Sequence, residues 1–419
     1  MSPSLNYDVV VLGAGVAGLT AATRLAEGGA RVCVLAKGVG STHLAPGTIG
    51  VLGYSPERVE EPARALPDFV ARNPEHPYAL LGEDSLAPAL SWFAERVERG
   101  PKTGYRYEGG LERNLLLPTA LGVARPSALV PETMAAGDMR SQEPVCVVGV
   151  KALRDFHASL CAANLERVGV PARAIELTLD VGRAEANCLG LARRLDDPRL
   201  RSDLIAQLEP QLRDGERLAL PAMLGLSDPH GVWADLEQRL DRRVFEIPTL
   251  PPSVPGMRVY DILRSALRAG GGRLVIGSEA VSAERKGQRV TALRARASGH
   301  EVVYGARWVV LATGGVASGA LALGSDWVVR ETVLDLPLRG VPAPGGPRFA
   351  PVYFDRHPLA RMGVAVDSSL IAEGTDNVLV AGAALPGAEP WREGSGEGIA
   401  LASGYSVAAT VLAREAIAA

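Results

Sequence analysis

The sequence is poor in cysteine and has no C-x-x-C pair. Its cysteines, Cys33, Cys146, Cys161 and Cys188, are scattered along the chain. A disulfide framework, a cysteine zinc site and an iron–sulfur cluster held by this chain alone are therefore not expected. We expect the thiols to be buried or idle, in a reducing compartment.

A strong excess of one charge and a long unbroken hydrophobic run are also missing. The 44 basic and 47 acidic residues give a formal net charge of −3, which argues against a nucleic-acid partner. The longest uncharged stretch, Trp308–Ser325, is broken by Gly314, Gly315 and Gly319, so we expect a buried strand and turn there and no direct membrane span. The uncharged stretch Val9–Thr23 has no preceding lysine or arginine, unlike a signal peptide.

The remaining composition is that of a globular protein of 419 residues, long enough for about two or three domains. The first fifty residues predict a βαβ unit with strand Tyr7–Leu12, helix Gly15–Glu27 and strand Arg31–Ala36. The alternation of strands and helices returns after Pro255. We therefore predict an α/β fold in which residues 1–55 and 256–419 form a discontinuous Rossmann-like flavin- or dinucleotide-binding domain. Residues 56–255 are predicted to be an inserted, mostly helical second domain that serves as substrate cap and partner contact.

The sharpest motif is the G-x-G-x-x-G turn formed by Gly13, Gly15 and Gly18. It follows a predicted strand and opens a predicted helix, which is the context that such a motif needs. Glycines let the backbone approach a pyrophosphate closely, and the helix N-terminus offers free N–H groups to it. We predict that all three residues bind a cofactor.

The carboxylate that usually ends the second strand and binds a ribose hydroxyl is absent, because Ala36 stands there, followed by Lys37. This weakens the case for NAD. Lys37 is a candidate contact for a cofactor phosphate, although a solvated lysine fits the same position.

Two later glycine motifs follow apolar strands. Val309–Gly315 and Asn377–Gly382 each deliver glycine backbone to one end of a sheet, and Gly394–Gly404 begins a helix whose N-terminus could stabilise negative charge on a reduced flavin. The cofactor-binding residues predicted from these motifs are Thr313, Gly314, Gly382, Gly398 and Leu401. Together with the first turn, they resemble the FAD/NAD(P)-binding flavoprotein superfamily, in the branch of the fumarate reductase flavoproteins.

The middle of the chain carries a closer resemblance. Leu220–Leu226 (LPAMLGL) and the proline-rich Phe245–Pro255 (FEIPTLPPSVP) are similar to the B subunit of anaerobic glycerol-3-phosphate dehydrogenase. The resemblance implies oxidation of glycerol 3-phosphate to dihydroxyacetone phosphate, with electrons passed towards quinone. It also implies FMN as the flavin, a FAD-bearing catalytic subunit and an iron–sulfur, membrane-binding subunit as partners, and a cytoplasmic location, peripheral to the membrane through those partners. FAD is the alternative cofactor, because fumarate-reductase-type relatives with a small residue and a lysine at this strand end also hold FAD.

His43 lies in a Ser-Thr-His segment just after the second predicted strand. In the fumarate reductase flavoproteins a histidine in a similar segment is bonded covalently to the flavin. Covalent attachment, non-covalent flavin contact and an ordinary polar loop role remain open for His43.

Oxidation of a phosphorylated alcohol needs a base for the hydroxyl proton and cations for the phosphate. We predict His357 as the base and Arg392 as a phosphate-binding cation, because Arg392 closely precedes the glycines of the last helix. Arg348, Arg361 and His230 are further candidates. The histidines have no H-x-x-x-H spacing, so no metal site is predicted.

Two other functions fit the same pattern. The chain could be a non-catalytic subunit that holds a flavin and relays electrons or supports assembly. It could also be a stand-alone flavin oxidoreductase for another polyol or organic acid, because a fold does not fix its substrate.

Overall fold

The computed structural model describes residues 4–179, 187–297, 299–343 and 345–418. The β-strands are β1 (Ser4–Leu12), β2 (Val32–Ala36), β3 (Tyr107–Gly109), β4 (Leu115–Pro118), β5 (Ala124–Ser127), β6 (Leu129–Pro131), β7 (Val145–Val150), β8 (Ala172–Leu177), β9 (Arg217–Pro221), β10 (Val244–Ile247), β11 (Arg273–Ile276), β12 (Ser278–Lys286), β13 (Arg289–Ala297), β14 (His300–Leu311), β15 (Leu321–Leu323), β16 (Val329–Glu331), β17 (Leu338–Arg339), β18 (Gly363–Val364) and β19 (Val378–Val380). The α-helices are α1 (Val16–Glu27), α2 (Pro62–Arg72), α3 (Pro77–Leu81), α4 (Leu86–Glu98), α5 (Glu132–Ala135), α6 (Ala158–Arg167), α7 (Cys188–Leu195), α8 (Pro198–Leu208), α9 (Pro229–Leu240), α10 (Val254–Ala269), α11 (Pro390–Glu393) and α12 (Gly396–Ala418).

The main sheet joins the two ends of the chain. Its strand order is β11-β2-β1-β14-β13-β12, with β19 also pairing with β14. The strands β11, β2, β1, β14 and β19 are parallel, whereas β12 and β13 form an antiparallel hairpin at one side. Val9, Val10 and Val11 of β1 are fully buried, as expected for a parallel strand covered on both faces. The predicted α/β, Rossmann-like fold is confirmed.

The predicted insert is not simply helical. Its helices pack with a second parallel sheet in the order β10-β9-β7-β8, and this sheet was not predicted. The strands β7, β9 and β10 are buried throughout, and short buried strands of this kind cannot be told from buried helix segments by periodicity alone.

The hydrophobic core divides inside the predicted insert. Most buried residues up to Leu129 pack in the same cluster as the main sheet. Those from Ala136 to Val254 form separate clusters around the second sheet. The helix α10 begins at Val254 and carries Val259 of the first cluster. It therefore connects the unit built on the main sheet with the unit built on the second sheet, which we call the second unit. The boundaries at residues 55 and 255 remain a prediction.

The predicted βαβ unit occurs close to its expected bounds, as β1, α1 and β2. Later in the chain, the helix α8 is capped by Asp197, whose carboxylate accepts a hydrogen bond from the Arg199 N–H. The strands β12 and β13 form a hairpin around Lys286. The uncharged stretch Trp308–Ser325 forms the end of β14, a turn and β15.

Candidate functional site

The carboxyl ends of the parallel strands form one edge of the main sheet, and several predicted cofactor residues lie there. Gly13 follows β1, Thr313 and Gly314 follow β14, and Gly382 follows β19. Ligands of open α/β sheets bind at this edge. The fold thus brings residues that are far apart in sequence to one candidate site.

Two glycines of the first turn are required by close backbone contact. Gly13 has a φ of +108°, and a Cβ there would lie 2.2 Å from the carbonyl oxygen of Ala312. A Cβ on Gly18 would lie 2.0 Å from the carbonyl oxygen of Gly13. Neither position accepts a side chain without movement of the backbone, so these glycines set the packing of β1, α1 and β14.

Gly15 is different, because a Cβ there would have no atom within 4 Å. It is the N-cap of α1 with a φ of −77°, and no side chain caps this helix or places a carboxylate in its first turn. The first N–H groups of α1 therefore lack side-chain acceptors, and the helix dipole adds positive potential. The space in front of Gly15 is suited to an anionic group such as a phosphate.

Buried polar atoms without partners lie on the segments that follow β2 and β14, the two strands that flank β1 in the sheet. His43 Nε2 and the hydroxyl of Thr42, just after β2, are both buried and make no hydrogen bond. The hydroxyl of Thr313, just after β14, is also buried and makes no hydrogen bond. Because buried polar groups are normally satisfied, these atoms are candidates to bind a ligand.

His43 is half-buried against Tyr260 of α10, with ring centroids 4.8 Å apart in an edge-to-face arrangement. Burial lowers the pKa of His43; the charge of Asp261 opposes this, and the smaller effect of Arg264 adds to the lowering. The imidazole is therefore favoured in its neutral form, with Nε2 free of protein partners. Covalent and non-covalent flavin contact at His43 both remain predictions.

The other predicted cofactor residues lie in varied surroundings. Lys37 is exposed, and its Nζ lies 3.0 Å from Glu279 Oε1. Gly382 N–H donates to the Ser403 hydroxyl at 2.8 Å, which ties the end of β19 to α12. Gly398 lies in the first turns of α12, whereas Leu401 is fully buried in the core.

A buried network at the start of α12 was not predicted. His76 Nδ1 accepts a hydrogen bond from the Tyr78 N–H at 3.1 Å, so its Nε2 carries the proton and donates it to Glu393 Oε2 at 3.1 Å. The Ser395 hydroxyl donates to the same carboxylate oxygen at 2.7 Å, and the Glu389 N–H donates to Oε1 at 2.9 Å. His76 and Glu393 are 317 residues apart, so no local sequence pattern connects them.

This network fixes the segment that leads into α12. Burial alone would raise the pKa of Glu393, but the hydrogen bonds from His76, the Glu389 N–H and the Ser395 hydroxyl outweigh it, and the pKa is lowered. The Glu393 carbonyl accepts hydrogen bonds from the N–H groups of Gly53 at 2.7 Å and Tyr54 at 3.1 Å. Gly398 N–H in turn donates to the Gly50 carbonyl at 2.9 Å. The start of α12 is therefore held against residues 50–54.

The predicted catalytic residues lie together, but both already have partners. His357 Nδ1 accepts from the Ala350 N–H at 3.0 Å, and Nε2 donates to the Tyr353 carbonyl at 2.9 Å. Arg392 donates from Nη2 to the Phe354 carbonyl. Both side chains thus hold one loop, and their catalytic roles stay predictions.

The further candidates are also engaged. Arg348 donates to backbone carbonyls of neighbouring loops, and Arg361 Nε donates to the Gly387 carbonyl at 2.8 Å. His230 Nδ1 lies 2.9 Å from the buried Glu132 carboxylate in the second unit. The structure does not gather these three around the glycine turns of the main sheet.

Both motifs that carried the closer resemblance contact one buried ion pair, between Glu246 of the second motif and Arg258 of α10. Arg258 of α10 contacts Glu246 of β10 through both carboxylate oxygens, at 2.6 and 3.0 Å, and both side chains are fully buried. Arg258 also donates to the carbonyls of Leu224 and Gly225, while Glu246 accepts from the Leu224 N–H and the Thr133 hydroxyl. Burial would lower the pKa of Arg258, but the charge of Glu246 outweighs it and raises that pKa. These motifs therefore join the second unit to α10.

The cysteines are free and buried, as expected. Burial raises the pKa of the Cys33, Cys146 and Cys161 thiols to about 11 and that of Cys188 to about 12. They are therefore protonated at neutral pH and unsuited to act as nucleophiles or metal ligands. Over the described ranges, no group of three or more histidine, cysteine, aspartate or glutamate side chains is arranged to hold a metal ion.

The glycine turn, the uncapped α1 and the adjoining strand ends define a protein of the nucleotide-binding α/β class. A family model described as the FAD binding domain matches residues 8–399. The chain is 31% identical to the B subunit of anaerobic glycerol-3-phosphate dehydrogenase from Pectobacterium atrosepticum, over 97% of this chain and 99% of that one. It is 32% identical to a probable B subunit of the same dehydrogenase from Halobacterium salinarum, over 99% of each chain. The chain belongs to the family of anaerobic glycerol-3-phosphate dehydrogenase B subunits, which confirms the predicted resemblance.

Among solved structures, a mutant of E. coli quinol fumarate reductase is 10% identical and has a TM-score of 0.46, covering 100% of this chain and 72% of that chain. At this distance the similarity adds no argument to the family assignment.

The residues at the sheet edge fit a flavin cofactor. The open space at Gly15 and the free amides of α1 suit a phosphate, and the unpaired atoms of His43 and Thr313 suit further polar contacts. The match to the FAD binding domain supports a flavin and agrees with FAD, the alternative to the FMN that the resemblance implied. Within the described part of the chain, no helix is both long enough and apolar enough to span a membrane.

Proposed function

We propose that this chain is a flavin-binding subunit of a dehydrogenase that oxidises sn-glycerol 3-phosphate to dihydroxyacetone phosphate and passes the electrons to quinone. Its proposed partners are a FAD-bearing catalytic subunit and an iron–sulfur, membrane-binding subunit, and its proposed place is the cytoplasmic face of the membrane. The observation that carries the proposal is the identity of 31–32% over nearly the whole chain with relatives named as the B subunit of such a dehydrogenase.

The oxidation removes a hydride from C2 of the substrate and a proton from the hydroxyl on the same carbon. A bound flavin supplies the acceptor for the hydride. The part proposed for this chain is to hold the flavin phosphate at Gly15 and α1, and to contact the rest of the cofactor from His43, Thr313 and the start of α12. The tight backbone contacts at Gly13 and Gly18 keep these groups in place before the cofactor binds.

His357 is proposed as the group that accepts the hydroxyl proton, and Arg392 as a cation for the substrate phosphate. His357 would have to exchange its bond to the Ala350 N–H for the substrate, because Nδ1 already accepts there. Arg392 keeps donors besides the Nη2 that holds Phe354, and its Nε lies 3.8 Å from Glu389. These hydrogen bonds to the loop backbone would orient both side chains in the absence of substrate, and some of them would have to break when the substrate binds.

A second candidate function is that of an electron-relay or assembly subunit that holds a flavin without oxidising the substrate itself. One observation favours it: both ring nitrogens of the proposed base are already hydrogen-bonded to backbone. In that case the partner subunit performs the oxidation and this chain receives the electrons.

The test uses the purified chain. Its flavin is released with acid and identified by mass, which distinguishes FMN from FAD. Colour left in the pellet indicates a covalent bond, and its loss in His43→Ala assigns that bond to His43. The chain is then mixed anaerobically with glycerol 3-phosphate while the visible absorbance of the flavin is followed. Bleaching supports the catalytic role, whereas bleaching only in the presence of the partner subunits supports the relay. A chain that stays colourless after incubation with FMN and with FAD contradicts the catalytic role and the electron-relay role alike.

Arg392→Ala tests the phosphate contact in the same assay. We expect it to raise the glycerol 3-phosphate concentration needed for half-bleaching about tenfold or more, as for loss of a charge-assisted bond. Arg330→Ala is the matched control, because this half-exposed arginine is paired with Asp326 at 2.6 Å and is not among the residues predicted for the site. An unchanged dependence in Arg392→Ala removes this residue from the site.

A further inference from the structure

The loop held by His357 exposes an unusual group of large apolar side chains in a chain with only 5% aromatic residues. Tyr353 is 80% exposed and Phe354 is 83% exposed. The exposed loop residues Phe349, Val352, Tyr353 and Phe354, together with Trp391 of α11, are called the aromatic patch. Exposed apolar clusters of this kind mark interaction surfaces on soluble proteins.

The aromatic patch is held in shape rather than left loose. The ring of His357 contacts Phe349 and Tyr353 with centroids 6.0 and 6.4 Å apart, while Tyr353 and Phe354 meet edge to face at 5.1 Å. The His357 nitrogens bond the loop backbone on both sides. A surface that is ordered before binding loses less conformational entropy when a partner docks.

Charged groups surround the patch with an excess of arginine. Arg356 and Arg392 both approach Glu389, at 3.3 and 3.8 Å, and the Glu389 side chain is only 5% exposed. This carboxylate is therefore covered, and the arginines remain at the surface with Arg348 beside Phe349. Aromatic residues and arginine are the types enriched at the centres of protein interfaces.

We propose that the aromatic patch is the docking surface for another subunit of the dehydrogenase, whose contact face is apolar with an acidic rim. The inference rests on the proposed function, because it takes this chain to be one component of a multi-subunit assembly. A second copy of this chain fits less well, because a two-fold contact through the patch would bring its arginines against their own copies. An anionic membrane surface fits less well than a protein, because Asp355 lies exposed beside Phe354.

The patch also continues into the candidate site. Arg392 joins Phe354 to α11, and the next residue, Glu393, belongs to the buried network that fixes the start of α12. A protein docked on the patch would therefore contact the segment that leads into α12.

The test is a binding measurement on the double variant Tyr353→Ser/Phe354→Ser. The partner is the purified pair of catalytic and iron–sulfur subunits of the same dehydrogenase, and Kd is measured by sedimentation with wild type and variant. We expect the variant to raise Kd at least about tenfold, with unchanged far-UV circular dichroism and flavin content. Leu121→Ser/Val123→Ser is the matched control, because these apolar residues are 57% and 55% exposed and lie outside the patch.

Each other outcome has a distinct meaning. Equal Kd values for the wild type and the patch variant overturn the docking surface and leave the proposed function intact. A wild-type chain that does not bind these subunits overturns the proposed function, and this inference with it. Loss of self-association in the patch variant, or loss of flotation with phosphatidylglycerol vesicles, while its Kd for the two subunits stays unchanged, assigns the patch to a second copy or to a membrane and overturns the proposal.

Discussion

The glycine turn after β1 and the Glu246–Arg258 pair both hold parts of the chain in close contact, by opposite means. At Gly13 and Gly18 the contact is between backbone atoms, and it is possible because no side chain is present. At Glu246 and Arg258 two full charges are buried and matched by hydrogen bonds to surrounding backbone. The first arrangement fails when an atom is added, and the second fails when a partner is removed.

Arg258→Ala should have the largest effect on stability. It leaves the Glu246 carboxylate buried without its ion-pair partner, which costs about 3–5 kcal/mol of the free energy of unfolding. Urea denaturation of the holoprotein measures this. The double variant Arg258→Met/Glu246→Leu should recover much of the loss, because it removes both charges together. A double variant as unstable as the single one would show that packing of Arg258, rather than its charge pairing, supports this joint.

Gly18→Ala and Gly15→Ala separate the two uses of glycine in one turn. A Cβ at Gly18 meets the Gly13 carbonyl oxygen at 2.0 Å, so we expect a loss of more than about 3 kcal/mol in the free energy of unfolding. A Cβ at Gly15 meets no protein atom, so the apoprotein should stay stable while the flavin Kd rises about tenfold or more. Denaturation of the apoproteins and flavin titration measure the two effects. Equal destabilisation by both substitutions would contradict the cofactor role of Gly15.

His76→Ala tests a third kind of contact, a neutral donor on a buried carboxylate. Loss of its bonds to Glu393 and to the Tyr78 N–H should cost about 2–3 kcal/mol at neutral pH. Because the pKa of Glu393 is lowered in the folded protein, its stabilising contribution is present above the unfolded pKa of about 4.3 and is lost as pH falls through the folded pKa.

The difference between the wild type and His76→Ala should therefore be largest near pH 7 and should shrink below about pH 4. Denaturation curves at a series of pH values measure it, with His76→Gln as the variant that keeps a hydrogen-bond donor. A difference that does not change with pH would mean that His76 acts through packing rather than through Glu393.

The same contrast explains what the sequence could predict. Close backbone contact requires glycine, and glycine at fixed spacing after an apolar strand is readable, so Gly13, Gly15 and Gly18 and the fold around them followed from local pattern. The segment Phe245–Pro255 could be recognised only as a resemblance, since nothing in it indicates that Glu246 faces Arg258. The link from His76 to Glu393 spans two sequence-distant regions and has no local pattern at all.

The second sheet was missed for a related reason. The strands β7, β9 and β10 are buried on both faces, so they lack the alternation that marks a half-exposed strand. The predicted catalytic residues show a further limit. Position near a glycine motif suggested His357 and Arg392, but both side chains hold the backbone of an exposed loop in the folded chain, which no sequence pattern indicates.

The smallest effect is expected at Lys37, where an ion pair similar in chemistry to the buried one is exposed. Its Nζ lies 3.0 Å from Glu279, with most of the lysine side chain in solvent, so Lys37→Ala should change the free energy of unfolding by less than about 1 kcal/mol. If Lys37 also contacts the cofactor phosphate, as predicted, the flavin Kd should rise severalfold, and by less at high salt. Glu279→Gln is the control, since it removes the partner but keeps the cation. An unchanged flavin Kd in Lys37→Ala would leave this lysine with a surface role only, and would place phosphate binding on the α1 amides alone.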